Sequence, residues 1–227
     1  MDKKKLILKY ERIISFLYRL LGRNSISVGK RNTFHIGNAF MKNCRIEISG
    51  KNNIVEIEPG LTRLCDCSIK ICHSNSHIRI GGGSNINHCH LYIEDDGGFI
   101  DIGKHVTITG ETHLAVIEGK KITVGEDCLF ATDISFRVGD SHSILDVETK
   151  QRINPSEDIV IGKHVWIGHG VKILKGVVIA DNCIVGTGSV VTKRINIPPP
   201  TNCILAGVPA KVVKYGVTWV APRLPFN

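Results

Sequence analysis

The sequence predicts an all-β solenoid, and three observations predict it. Between Ile161 and Leu205 the chain reads in sixes: IGKHVW, IGHGVK, ILKGVV, IADNCI and VGTGSV. A large aliphatic opens every block (Ile161, Ile167, Ile173, Ile179, Val185, Val191), and a small or β-branched residue follows four places later (Val165, Val171, Val177, Cys183, Ser189). Upstream, Ile36-Gly37, Ile57-Glu58, Ile80-Gly81, Ile102-Gly103 and Val124-Gly125 recur at spacings of 21, 23, 22 and 22. The third observation is compositional: 23 glycines and only 6% aromatic residues suit repeated corners around a core of small aliphatics.

A helix repeats at about 3.6 residues and a strand at about 2, so a strict period of six fits neither. It fits a chain that turns a corner every six residues. Within a block, the aliphatic and the residue two before it face inward together. Glycine and the Asp181-Asn182 pair then take the corners, where positive φ is cheap for those residue types. Three sides close a coil of eighteen residues, and coils stack at about 4.8 Å. Fixed-period self-similarity of this kind announces a solenoid.

Residues 1–23 precede the coils. Leu6, Tyr10, Ile13, Leu17 and Leu20 fall on one helical face, with Gly22 as the stop. Such a helix caps the open end of a solenoid, as terminal repeats require, or lies on a membrane surface with Lys3, Lys4, Lys5 and Lys9 near anionic lipid. Residues 24–214 form the solenoid, with three to five extra corner residues in each early coil, as in SGKNN (49–53) and EDDGG (94–98). Roughly eight coils give a prism on the order of 40 Å tall. The repeat breaks between Val124 and Ile161, where a loop of about 139–158 is inserted, and again at 194–202, which holds three consecutive prolines. Residues 215–227 form a tail, expected as a short helix or an arm.

Charge and cysteines narrow the function classes. The net charge of +8 suits anionic partners: a phosphate-bearing cofactor, an acidic glycan or a membrane surface. No nucleic-acid recognition motif appears. No signal peptide or transmembrane run is visible, because Lys9, Glu11, Arg12 and Arg19 interrupt the N-terminal apolar residues; the expected compartment is the cytoplasm. Of eight cysteines, Cys44, Cys67, Cys89, Cys128, Cys183 and Cys203 each lie two places before an inward aliphatic or phenylalanine. They are expected as reduced core residues, not metal ligands or disulfides. The Gly81-Gly82-Gly83-Ser84 run is a corner, since no Gly-Lys-Ser/Thr follows it.

The inserted loop holds the candidate chemistry. His142 sits there among small polar residues, off the coil faces. An imidazole can take a proton near neutral pH and return it to a leaving group. Asp140, two residues earlier, is placed to orient it, although Asp is also an ordinary turn residue after Gly139; Asp146 competes for the same role. Trp166 opens no inward position and must point out of the wall.

The segments DSHSILDVET, VWIGHGVKILKGV, VGTGSVVTK and AGVPAKVVK, spanning about the last 90 residues, resemble in order and spacing the hexapeptide-repeat acyltransferases. The nearest resemblance is to the sugar O-acetyltransferases of capsular and lipopolysaccharide glycans, sialic acid polymers included. It implies a left-handed parallel β-helix, against the usual right-handed crossover, assembled as a homotrimer with sites between subunits. It implies acetyl-CoA as co-substrate, no metal, and a glycan hydroxyl as acceptor. It puts the catalytic base on His142 and Trp166 at the site's border, where the indole N–H can donate to the thioester carbonyl or the oxyanion that follows, or the ring packs the subunit interface. Coenzyme A contacts fall near His169 and Thr187, with Lys193, Lys211 and Lys214 toward the phosphates. Alternatives remain. His164 and His169 have the spacing of zinc ligands that carbonic anhydrases on the same scaffold bring together across a trimer interface; an amine of an amino sugar, or an antibiotic as substrate of an N-acetyltransferase or through its hydroxyl, could replace the glycan hydroxyl; and a non-catalytic solenoid would bind no coenzyme A.

Overall fold

The computed structural model describes residues 13–18, 20–193 and 200–225. Its strands stack into three walls of eight, seven and nine strands among the described residues, so the chain is a three-sided prism of about eight turns. The first coil shows the plan: Ser25–Val28 opens the first wall, Thr33–Ile36 the second and Phe40–Lys42 the third. Every later coil lays its strands on these in parallel register. On the second wall the column Ile36, Ile57, Ile80, Ile102, Val124, Ile161 and Ile179 pairs residue for residue. The recurrence legible in the sequence is therefore one rung per coil, and the 37-residue gap after Val124 is a single rung with a loop inserted. The aliphatics that open each hexad are buried, as are the small residues four places later. Each large one contributes about 1.5–3 kcal/mol on leaving water.

The six cysteines expected in the core are buried. All eight are free thiols, and Cys65 and Cys72 are half-buried. Burial pushes the Cys128 thiol up to about 12, so it stays protonated. Corners hold the left-handed residues. Between the second and third walls, His105 (φ 56), Asp127 (φ 59), His164 (φ 53) and Asn182 (φ 59) stack one above another. Short polar side chains tolerate this region; the histidines there are turn residues first.

At the N-terminal end one expectation, the face by which the helix packs, is corrected; at the C-terminal end the arm is the alternative found. Helical residues 13–18 and 20–21 do meet the first coil, but through Ser15, whose hydroxyl donates to the Ala39 carbonyl at 2.8 Å, and Tyr18, edge-on to Phe40. The apolar face proposed for packing is outside: Ile13 and Leu17 are exposed and Leu20 is 65% exposed. A small residue, Ser15, lets the helix approach the coil where a leucine would hold it off. Leu6 and Tyr10, like Lys3, Lys4, Lys5 and Lys9, lie outside the described residues, as does most of the proline loop (194–199). At the other end, Cys203–Gly207 and Ala210–Tyr215 form an antiparallel hairpin on the third wall. The tail beyond it contains no helix among its described residues and lies back along the third wall as an arm.

Candidate active site

The inserted loop, 138–158, leaves the corner between the first and second walls, after Ile134–Arg137 and before Ile159–Ile161. Its tip is a small hairpin. Leu145 and Arg152 bridge it, and the Ile153 N–H donates to the Ile144 carbonyl at 2.9 Å. His142 stands exposed at its base.

Asn154 organises this base. It is 6% exposed, and its Nδ2 donates to the His142 carbonyl at 2.8 Å and to Asp140 Oδ2 at 2.9 Å. Its Oδ1 accepts from the Ile144 N–H at 2.7 Å and from Arg152 Nε at 3.2 Å. Three ion pairs pin the loop to the corner: Arg152 to Glu118, Lys175 to Asp140, and Lys193 to Glu157. The Lys175 ammonium, and next the Asn154 amide, hold the Asp140 carboxyl below the usual range. Asp140 therefore anchors the loop through Asn154 and Lys175; no hydrogen bond joins its carboxylate to the His142 ring among the described residues. Asp146 is engaged in its own turn, accepting from the Glu148 and Thr149 N–H groups. Sequence reasoning missed Asn154, Lys175 and Glu118. Nothing local marks them, since each acts on a stretch that the loop brings to it from elsewhere.

The remaining candidates lie across the prism. Trp166 is on the third wall in the strand Trp166–Ile167, 40% exposed, stacked between Leu129 above and Ile184 below. His169 and Thr187 are exposed at the corner where the third wall turns into the first, and the Gly188 N–H donates to the His169 carbonyl at 2.7 Å. Below Trp166 this flank carries nothing larger than a methyl at Gly168, Gly186 and Ala206; a Cβ at Gly168 would come within 2.8 Å of the Thr187 nitrogen. The flank runs toward Lys211 and Lys214, both exposed on Ala210–Tyr215 with no ion partner among the described residues. A flat edge with main-chain donors, ending in two free ammonium groups, fits a pantetheine arm and its phosphates.

Lys193 does not join Lys211 and Lys214. It is at the corner of the inserted loop, 2.6 Å from Glu157. The predicted residues thus form two sets: Asp140, His142 and Lys193 at the corner between the first and second walls, and Trp166, His169, Thr187, Lys211 and Lys214 on the third wall and its far edge. In a three-sided prism that corner is opposite the third wall, so one protomer does not bring His142 to Trp166. His164 and His169 are likewise apart, at the two edges of the third wall. The His164 ring is stacked under Trp219 at 4.4 Å, and its Nδ1 is 3.0 Å from Asn182 Oδ1. No group of three metal-binding side chains occurs among the described residues.

The chain is similar to several known acetyltransferases. A family model for bacterial transferase hexapeptide (six repeats) matches residues 158–193. The polysialic acid O-acetyltransferase of Neisseria meningitidis is 34% identical over 160 residues, covering 65% of this chain and 68% of the relative. That of Escherichia coli O1:K1 / APEC is 36% identical over 123 residues, covering 54% of this chain and 38% of the relative, so the chain spans well under half of that longer protein. Among solved structures, the polySia specific acetyltransferase NeuO superposes with a TM-score of 0.77 at 28% identity over 88% of both chains. With a relative 34% identical and covered to 68%, and the hexapeptide model matched on its last full coils, the chain belongs to the hexapeptide-repeat acyltransferases.

Proposed function

We propose that the chain transfers an acetyl group from acetyl-CoA to a hydroxyl of a surface-glycan sugar, in a homotrimer whose sites lie between protomers. The carrying observation is the separation of His142 from Trp166, which a second protomer supplying its third wall would close. Exposed apolar residues support the same contact. Ile144, Leu145, Val147 and Ile153 crown the inserted hairpin and meet water in the single chain, where a neighbouring wall would cover them.

In the shared cleft, His142 accepts the proton of the sugar hydroxyl as its oxygen bonds to the acetyl carbon. Acetyl-CoA supplies an activated thioester. Its C–S bond breaks as the new C–O bond forms, and the proton on His142 passes to the departing sulfur, leaving an acetyl ester and a free thiol. The neighbour's Trp166 indole N–H is offered to the carbonyl oxygen, where negative charge grows; losing a donor of this class costs about 10²–10³ in rate. His169 and Thr187 line the pantetheine edge, and Lys211 and Lys214 face the phosphates. Asp140 and Asn154 hold the base in place.

Two of the similar proteins are polysialic acid O-acetyltransferases, which favours a sialic-acid-containing polymer as acceptor, and the net charge of +8 suits an acidic chain. Among the described residues no helix is long and apolar enough to cross a membrane. The exposed side of helical residues 13–18 and 20–21, following the basic start of the sequence, suits peripheral contact with an anionic membrane from the cytoplasm. Thiol release from acetyl-CoA against a glycan panel that includes polysialic acid tests the reaction, with His142→Ala expected to lose roughly 10²–10⁴ in turnover. Undiminished turnover by that variant, folded, refutes the assignment of the base.

A further inference from the structure

On the other side of Trp166 from the proposed coenzyme A edge lies a cavity that the reaction scheme does not use. Its volume is about 370 Å³, inside the range of small-molecule sites, roughly 300–1,000 Å³. His105, Asp127 and His164 line it from the corner between the second and third walls, Thr107 and Leu129 from the third wall, and Trp219 from the tail. Trp219 comes 55 residues after His164 and is fixed there twice. Its ring lies parallel to the His164 imidazole, 9° between planes at 4.4 Å, and its Nε1–H donates to the His164 carbonyl at 2.9 Å. Its centroid is 6.1 Å from that of Trp166.

We infer that this cavity is a sugar subsite, in which the tail's Trp219 forms the platform for one pyranose ring of the acceptor. This deepens the glycan-transfer reading and rests on it. The chemistry of the lining carries the assignment. One face of a pyranose presents C–H groups, whose partial positive charge is attracted to an aromatic face, while its rim presents hydroxyls that both donate and accept. The cavity offers the Trp219 indole and the Leu129 side chain for the first. For the second it offers the Asp127 carboxylate, the His105 imidazole 3.3 Å from it, and the Thr107 hydroxyl.

Position supports the same assignment. The strand Trp166–Ile167 is two residues long, so His164 and His169 mark its two flanks. Donor contacts lie on the His169 flank and on coils toward the C-terminus. An acceptor must then approach from the remaining side, where the cavity spans the His105, Asp127 and His164 corners. A platform held by stacking and a hydrogen bond is already ordered before the sugar arrives, which lowers the entropic cost of binding.

Calorimetric titration of the full-length protein tests this without turnover, using methyl β-D-galactopyranoside and an α2,8-linked sialic acid dimer as probes. At least one probe is expected to bind the wild type, to bind Trp219→Ala roughly tenfold more weakly, and to bind Trp219→Phe within about threefold of wild type because the aromatic platform remains. Asp127→Asn is expected to weaken the same probe, and acetyl-CoA to titrate alike into all four proteins. The subsite is overturned if neither probe binds the wild type, if Trp219→Ala binds the sugar as well as wild type does, or if that variant weakens acetyl-CoA instead. Absent thiol release by a wild type that still binds sugar through Trp219 overturns the transfer reaction and leaves the subsite standing.

Discussion

Asn154 Nδ2 donates to the main-chain oxygen of His142 at 2.8 Å, twelve residues back along the chain. The same amide group reaches Asp140, and its oxygen satisfies the Ile144 N–H. One side chain therefore sets where the inserted loop turns and where the imidazole begins.

Asn154→Ala removes those bonds, at about 0.5–1.5 kcal/mol each, and leaves the Ile144 N–H, on an exposed residue, to water. The loop hangs outside the coil stack, so the cost falls on its shape more than on the fold. We expect kcat to drop about 10–100-fold, since a misplaced base costs on that scale, while the melting temperature moves by only a few degrees. Wild-type kcat in this variant would show that the amide does not position His142.

A site shared between protomers predicts complementation. His142→Ala and Trp166→Ala chains, each inactive as a homotrimer, are mixed, unfolded together and refolded. In random trimers about a quarter of interfaces unite an intact His142 with an intact neighbouring Trp166. Activity should return to about that fraction of wild type. A mixture as inactive as its parents would mean that both residues serve from one chain.

What was legible in the sequence was whatever a single coil decides. Ile57 and Ile80 must face inward because the hexad sets the period, and Trp166 must face outward because it falls between inward Val165 and Ile167. His142 was visible because its loop interrupts the period. What stayed hidden depends on distant parts of the chain. Trp219 reaches His164 only because the last hairpin reverses the chain along the third wall. Lys193 reads like Lys211 and Lys214 as a surface cation, yet six-residue corners send it to the opposite side of the prism. The N-terminal helix misled for another reason. Contact with the first coil is made through Ser15 and Tyr18, while Ile13, Leu17 and Leu20 of the stripe are exposed.

The loop's anchor carries a pH signature. The Asp140 carboxyl is held low by Lys175 and then by Asn154, so its folded value lies below its unfolded one. Its contribution is present above the unfolded value, near pH 4, and is lost as pH falls through the depressed folded value. Lys175→Met removes the main cause of the depression. Limited proteolysis at the exposed Lys150 and Arg152, by a protease active in acid, should then begin at a higher pH than in wild type. Identical cleavage profiles for the two proteins would mean that the ion pair does not hold the loop.

Beneath the loop, Phe130 and Phe136 are fully buried, with ring centroids 5.5 Å apart. They are the largest fully buried side chains of a prism packed mainly with Ile, Val, Leu and Cys, on the coil from which the loop departs. Phe136→Ala opens a cavity that neighbouring rungs, fixed by their hydrogen bonds, cannot close, at about 3–5 kcal/mol. Because each coil touches only its neighbours, the lesion should stay local. Hydrogen exchange should accelerate first in Leu129–Phe130, Ile134–Arg137 and the strands below them, Trp166–Ile167 and Lys172–Leu174. The rungs from Ile36 to Ile80 should keep their protection. Turnover should therefore fail on heating before the N-terminal coils melt; loss of both at one temperature would show that the prism unfolds as a single unit.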